Sequence, residues 1–237
     1  MMFSDIAGFT AITEILPPEQ LTRLLSEYLN PMTHLIMERR GYVDKFAGDL
    51  IMAVWGIPFP LPDHALQACL TALEKQEALD RLRPLFKSTF NTEITVRIGI
   101  NSGLVTAGNM GSDQRMQYTV VGEAVNFASR FETLNKDYGT RIIIGEETRL
   151  QAGPEIETRL LDQVIPKGSS HAVRIYELLG RKNRTDERLI QTARLYEAAL
   201  DAFWKQDLNL AVRHLSAALQ ISPEDSPSLA LQARLVK

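Results

Sequence analysis

Two aspartates stand at the ends of apolar segments beside glycine turns, Asp5 in FSDIAGFT and Asp49 in AGDLIMAVWG. A carboxylate drawn out of water beside an apolar strand needs a cation, a donor or a water molecule. Taken singly, each reads equally well as an exposed loop end, where aspartate is common. Taken together they allow more. If the first strand lies beside the hairpin that carries Asp49, the two side chains converge and can hold magnesium through oxygen ligands. A hard divalent ion held by few protein carboxylates usually serves a bound phosphate. The turn after Asp5 agrees with this, because IAGFT leads directly into a helix whose free backbone amides can face an anion.

A second pair lies in EAVNFASRFE, where Asn126 and Arg130 are four residues apart and so share one helix face. The plainer alternative is a solvated face with Arg130 paired to Glu123. An amide flanked by Val125 and Phe127 near a helix start points instead to a positioned hydrogen-bonding group beside a charged one, which suits a sugar oxygen and a phosphoryl oxygen. Arg97, inside ITVRIGI, and Lys167, before Gly168, each read alone as surface residues or as aliphatic stems covering a sheet. His34, His64, His171 and His214 have no metal-ligand spacing, and no zinc site, P-loop, dinucleotide fingerprint or partnered serine or cysteine nucleophile is present.

The elements that must position these residues alternate between strand and helix up to about Gly180. Met1 to Asp5 reads as the end of a strand, and Pro18 to Arg40 as a helix with Leu21, Leu24, Leu25, Tyr28, Leu29, Met32, Leu35 and Ile36 at helical spacing. DKFAGDLIMAVWG reads as a hairpin with Ala47-Gly48 at its turn, so that Phe46 pairs with Asp49 and Lys45 falls one step out of phase, the two faces serving different sites. A helix opens at Asp63 and runs to about Arg83, where Pro84 interrupts it. ITVRIGINSG and LVTAGNMG read as two β segments meeting at Ser102-Gly103, QYTVVG as a short strand, EAVNFASRFETLNKDYG as a helix ending at Gly139, and RIIIG as another strand. A last pair of strands straddles KGSS. This order predicts an α+β fold, a largely antiparallel sheet with helices covering one face. After RKNRTDER, Leu189 to Lys237 reads as two amphipathic helices, a break at Ser222-Pro223 and a third helix, similar to one tetratricopeptide-type unit. One such unit cannot bury its apolar face alone and must dock on something.

At 237 residues the chain can bury a core without staples, and its single cysteine, Cys69, falls at an apolar helical position, as expected of a core residue in a reducing compartment. A formal charge of −3 with both signs interspersed gives no basic field for nucleic acid or an anionic membrane. There is no apolar run long enough to span a bilayer and no signal-peptide pattern, so a cytoplasmic chain, or the soluble end of a larger protein, is expected.

The set FSDIAGFT, VDKFAGDLIMAVWG, VRIGINSGLVTAGNMGS and YTVVGEAVNFASRFE resembles the class III nucleotidyl cyclase catalytic domain, in its bacterial adenylate cyclase, threonine-type form. The resemblance covers about Met2 to Leu179, which sets expected boundaries of 1–179 for a catalytic domain, 180–188 for a linker and 189–237 for the helical segment. It implies a ferredoxin-like α+β fold working as a head-to-tail homodimer with two shared sites, converting ATP to 3′,5′-cyclic AMP and pyrophosphate with two magnesium ions per site, for which manganese can substitute. Asp5 and Asp49 match the family's metal-binding aspartates, with the Ile6 carbonyl also facing a metal. Phe9 and Thr10 match residues whose amides meet the terminal phosphates. Lys45 matches the lysine that reads the adenine ring and Thr119 its partner; guanylate cyclases carry an acid in place of that lysine, so the pair favours ATP. Asn126 and Arg130 match the residues that orient the ribose and stabilise the transition state, and Arg97 and Lys167 the basic residues that hold the triphosphate. The alternative is a catalytically silent cyclase-like module that dimerises or senses nucleotide. A protein partner for the C-terminal helices is a further expectation. Only Met1 and Met2 precede Phe3, fewer strand residues than the resemblance implies, so the first strand is expected either to be clipped or to form with fewer ladder bonds.

Overall fold

The computed structural model describes residues 1–166 and 171–235, so that Lys167 lies outside the described residues. Alternation sets the first strand, β1 (Met2–Ile6): Met2, Ser4 and Ile6 are buried on one side, while Phe3 and Asp5 face the other. Short as it is, β1 is central, paired antiparallel with β3 (Leu50–Val54) on one flank and with β4 (Val96–Ile100) on the other. With β2 (Tyr42–Ala47), β7 (Ile142–Gly145), β8 (Ile156–Val164) and β9 (Val173–Arg181) they form a sheet of order β2-β3-β1-β4-β7-β9-β8. Among the described residues only β4 and β7 pair in parallel. The segment after Ser102-Gly103 does not fold back on β4. It becomes β5 (Thr106–Ser112), which leaves the sheet and pairs with β6 (Arg115–Val121) as a separate ribbon.

The β2–β3 hairpin differs from the predicted register. Ala47 pairs with Leu50 and Phe46 with Ile51, so the turn residues are Gly48 and Asp49. The tight turn needs a positive φ at its first central position, and Gly48 supplies it at +65°, which moves the turn one residue along the chain. A bulge then absorbs one residue: Val43 opposes Ala53 and Lys45 opposes Met52, leaving Asp44 extra. Met52 in turn opposes Phe3. Lys45 therefore stands on the same side of the sheet as Phe3 and Asp5, while Asp49, in the turn, is given no face by strand pairing.

Helices cover both faces rather than one. α2 (Pro18–Glu38) and α3 (His64–Phe90) bury Leu24, Tyr28, Met32, Ile36, Ala68, Cys69, Ala72 and Leu79 against Ile51, Ala53, Ile98 and Ile100. Each fully buried large apolar side chain in this set contributes about 2 kcal/mol. α3 runs through Pro84, because Phe86 and Phe90 beyond it are buried in the same core and outweigh the lost backbone bond. The second face takes α4 (Glu123–Tyr138), which approaches β4 closely at Gly99: a Cβ there would lie 2.1 Å from the Ala128 carbonyl and the Glu132 amide. Only glycine permits that approach. α1 (Phe9–Ile15) follows β1, and α5 (Glu146–Ala152) follows β7.

The C-terminal helices α6 (Glu187–Trp204), α7 (Leu208–Ile221) and α8 (Ser226–Leu235) find their cover on the chain's own sheet. β8 is the sheet edge, and its open backbone groups are taken up by α6. The Leu160 amide donates to Glu197 at 2.6 Å and the Tyr196 hydroxyl donates to the Leu161 carbonyl at 2.7 Å. Arg159, 1% exposed, pairs with Glu177 of β9 and with Asp225, just before α8, at 2.9 Å. At the end of α4, Asp162 accepts from Tyr138 at 3.0 Å and from Arg234 of α8 at 2.6 Å.

Candidate active site

Asp5 lies near the end of β1, and Asp49 sits in the turn that opens the neighbouring strand β3. The Ile6 amide donates to Asp49 Oδ2 at 2.9 Å, which ties the turn to the end of β1 and sets Asp49 beside the strand that carries Asp5. Burial first, then the hydrogen bond and charge of Asp49, push the Asp5 carboxyl up to about 7, with Arg97 pulling the other way. Metal-free, the pair holds a proton near neutral pH. Two crowded carboxylates of this kind, with the backbone of Ile6 beside them, are the oxygen donors a hard divalent cation takes. Among the described residues no group of three or more His, Cys, Asp or Glu is placed to hold a metal. The site therefore offers two carboxylates, a set suited to an ion that also takes ligands from a bound phosphate.

Arg97 opposes Asp5 across the β1–β4 ladder. Its Nε lies 3.2 Å from Glu132 Oε1, and Glu132 is buried on the face of α4 that Gly99 admits. Burial raises the Glu132 carboxyl, opposed by the Arg97 charge and assisted by Asp49. Glu132 was missed in the sequence; its signal is an acid placed among Ala124, Phe127, Ala128, Phe131 and Asn135, the residues α4 buries.

Asn126 and Arg130 lie on the opposite side of α4 from Glu132. Asn126 is exposed, Arg130 is half-buried, and neither has a hydrogen bond or ion pair among the described residues. Glu123 lies 4.0 Å from His171 instead of pairing with Arg130. One chain thus brings Asp5, Asp49, Arg97 and Glu132 together and turns Asn126 and Arg130 away from them. Lys45 Nζ is 3.3 Å from Oδ2 of Asp44, the bulge residue, whose side chain is fully buried. Thr119 on β6 is buried with an unpartnered hydroxyl. The ribbon is docked on β2 through Gln117, which donates to the Asp44 carbonyl at 3.0 Å, and through the Tyr42 hydroxyl, which donates to the Tyr118 carbonyl at 3.3 Å. Phe9 and Thr10 form the first turn of α1, whose amides have no partner within the helix.

The family described as the adenylate and guanylate cyclase catalytic domain matches residues 1–180. The chain belongs to this family. It is 36% identical over 179 residues to adenylate cyclase 1 of Rhizobium meliloti, an alignment covering 76% of this chain and 27% of that protein. Among solved structures it is similar to the adenylyl cyclase CyaB from P. aeruginosa, with a TM-score of 0.72 and 34% identity over 78% of this chain and 95% of that one. It is nearly as similar to the guanylyl cyclase Cya2, with a TM-score of 0.70 and 34% identity over 77% and 92%. The chain spans well under half the length of the curated relatives it matches. Among the described residues no helix is long and apolar enough to cross a membrane.

Proposed function

We propose that the chain is an adenylate cyclase that converts ATP to 3′,5′-cyclic AMP and pyrophosphate as a head-to-tail homodimer, on the cytoplasmic side of the cell. The work is assigned to residues 1–179, with 180–188 as linker and 189–237 as a tetratricopeptide-like helical segment. The observation that carries the reading is the Asp5–Asp49 pair, crowded enough to raise Asp5 to about 7 and open to a divalent ion. Asp5, Asp49 and the Ile6 carbonyl would hold two magnesium ions, or manganese in their place. Bound there, such ions lower the pKa of the ribose 3′-hydroxyl and neutralise the triphosphate and the departing pyrophosphate.

In the reaction the bond from the 3′-oxygen to the α-phosphorus forms and the bond from that phosphorus to the bridging oxygen of pyrophosphate breaks, while the hydroxyl proton passes to solvent. Arg130 donates to the α-phosphoryl oxygens as charge develops on them, and Asn126 orients the ribose. Because α4 turns both residues away from the aspartates of their own chain, each site takes its aspartates from one protomer and its Asn126 and Arg130 from the other. Lys45 donates to the adenine ring, Thr119 accepts from its amino group, and the closed interface keeps out water that would hydrolyse the nucleotide. The amides of Phe9 and Thr10, with Arg97 and Lys167, hold the terminal phosphates; Arg97 does so from beside Asp5, already in contact with Glu132.

The test is to incubate the purified chain with magnesium or manganese and either ATP or GTP, and to quantify both cyclic nucleotides and pyrophosphate. Cyclic AMP formed in preference to cyclic GMP, with specific activity rising with protein concentration, supports the reading. Bound nucleotide without turnover identifies a silent module, and preferred cyclic GMP reverses the base assignment.

A further inference from the structure

We propose that Asp44 is a positioning residue for base recognition: from the β2 bulge its buried carboxylate fixes the Lys45 ammonium, and so sets the preference for adenine over guanine. The inference rests on the reading of Lys45 as the group that meets the purine.

In a regular strand, consecutive side chains point to opposite faces and do not meet. Here the bulge between Val43 and Lys45 turns two neighbours toward one another, and Lys45 Nζ reaches to 3.3 Å from Asp44 Oδ2. The two ends of this pair are unlike: the Asp44 side chain is 0% exposed and that of Lys45 is 39% exposed. Neither Asp44 oxygen accepts a hydrogen bond, and both are shut off from solvent. A carboxylate so placed is costly and adds little to the fold. Nor does the docking of the β5–β6 ribbon need it, because Gln117 holds Asp44 by its main-chain carbonyl and Tyr42 holds the Tyr118 carbonyl. What the side chain does hold is Lys45.

An ammonium on a four-carbon stem has three donors and many rotamers. With the ammonium drawn by charge to 3.3 Å from Asp44, its donors stay free for a ligand while its rotamers are restricted, and part of the ordering cost is met before the base arrives. Thr119, buried with its hydroxyl unpartnered, supplies an acceptor on the neighbouring ribbon. A donor beside an acceptor matches the adenine edge, whose N1 accepts and whose amino group donates. Guanine presents O6 and N1–H, so a lysine held in register for N1 meets a second donor there, which is how a fixed cation rejects the wrong base. A lysine free to swing would instead follow O6.

The experiment compares the parent chain with Asp44→Asn, Lys45→Met and the double variant, measuring KM and kcat for ATP and for GTP, and melting temperature. For Asp44→Asn the expected result is a rise in KM for ATP of about tenfold, kcat within about threefold of the parent, and an ATP-over-GTP preference reduced about tenfold. Its melting temperature should equal or exceed the parent's, and the double variant should match Lys45→Met alone. If Lys45→Met loses ATP affinity and preference while Asp44→Asn keeps both, Asp44 does not position the lysine and the base reading survives. If Lys45→Met also keeps both, the base reading fails and the inference falls with it. A lowered melting temperature for Asp44→Asn with unchanged KM, or additive losses in the double variant, assigns the residue to the fold and overturns the proposal. Asp44→Ser, shorter and equally neutral, takes the place of the asparagine variant if that one does not fold.

Discussion

Replacing Asp49 by asparagine should move stability and activity in opposite directions, and the stability change should depend on pH. In the metal-free protein Asp5 titrates at about 7, raised first by burial and then by Asp49. Unfolded, it titrates near 3.8. Between those values the folded state binds more protons than the unfolded one, so this group's contribution to stability falls as pH rises from about 4 to about 7 and then levels off. The interval corresponds to about 4 kcal/mol at full value. Asp5 is only half-buried, so solvent screening reduces it to about 1–2 kcal/mol. The asparagine amide still accepts from the Ile6 amide through its oxygen and can donate to ionised Asp5, which removes the Asp49 share of the repulsion above pH 7. At pH 5, where protonated Asp5 already donates to Asp49, the same change relieves nothing and weakens the charge-assisted bond from Ile6. Thermal unfolding in chelator should therefore find the variant more stable than the parent at pH 8 by about 1–4 °C, less than the whole screened shift would give because burial of Asp5 remains, and no more stable at pH 5. Magnesium-dependent cyclisation should fall by orders of magnitude at either pH. A melting difference that is the same at pH 5 and pH 8 would refute the coupling of the two carboxylates, and near-parental turnover would refute their role.

Three further outcomes follow from the same geometry. Arg130→Ala and Asp49→Ala chains, each nearly inactive alone, should regain activity on mixing, because one of the two sites in a mixed dimer is intact; no recovery in a mixture shown to form mixed dimers would place the whole site within one chain. Arg159→Leu leaves Glu177 and Asp225 buried without their cation and should cost about 3–5 kcal/mol in urea unfolding. A cost below about 1 kcal/mol would mean that the C-terminal helices do not dock through this cluster. Lys75, fully buried and bonded to Ser4 at 2.7 Å, has its ammonium pushed down to about 7 by burial, so it charges more readily in the unfolded chain than in the folded one. Stability should accordingly rise with pH between about 7 and 10.5 for the parent, and Lys75→Met should remove that rise, with its largest gain, on the order of a few kcal/mol, at and below pH 7. An unchanged pH profile in that variant would show that Lys75 is solvated.

Strand alternation and a glycine turn put Asp5 and Asp49 at strand ends, but that β1 lies beside the hairpin was only a condition in the sequence, supplied by the β1–β3 ladder. The shared face of Asn126 and Arg130 was legible, because it depends only on helical pitch. The register of that hairpin was not legible. It depends on which residue takes the positive φ, and Ala47-Gly48 and Gly48-Asp49 are both credible turns until the bulge at Asp44 is known. α3 passes Pro84 because the apolar residues beyond it reach the core, a tertiary fact that no local rule contains. Glu132, Asp44 and Lys75 carry charge, and charge in a sequence reads as surface. Each is buried by a close approach made elsewhere, most plainly that of α4 over Gly99. β5 also looked like a partner for β4, when its ladder is made instead with β6.

Joint binding of divalent ions by Asp5 and Asp49 against nucleotide phosphates is tested most directly by counting bound manganese through its electron spin resonance. With a non-cyclisable ATP analogue present, the parent should bind two manganese ions per site, and Asp5→Asn and Asp49→Asn should each lose that binding while remaining folded. Undiminished manganese binding in both variants would contradict joint binding.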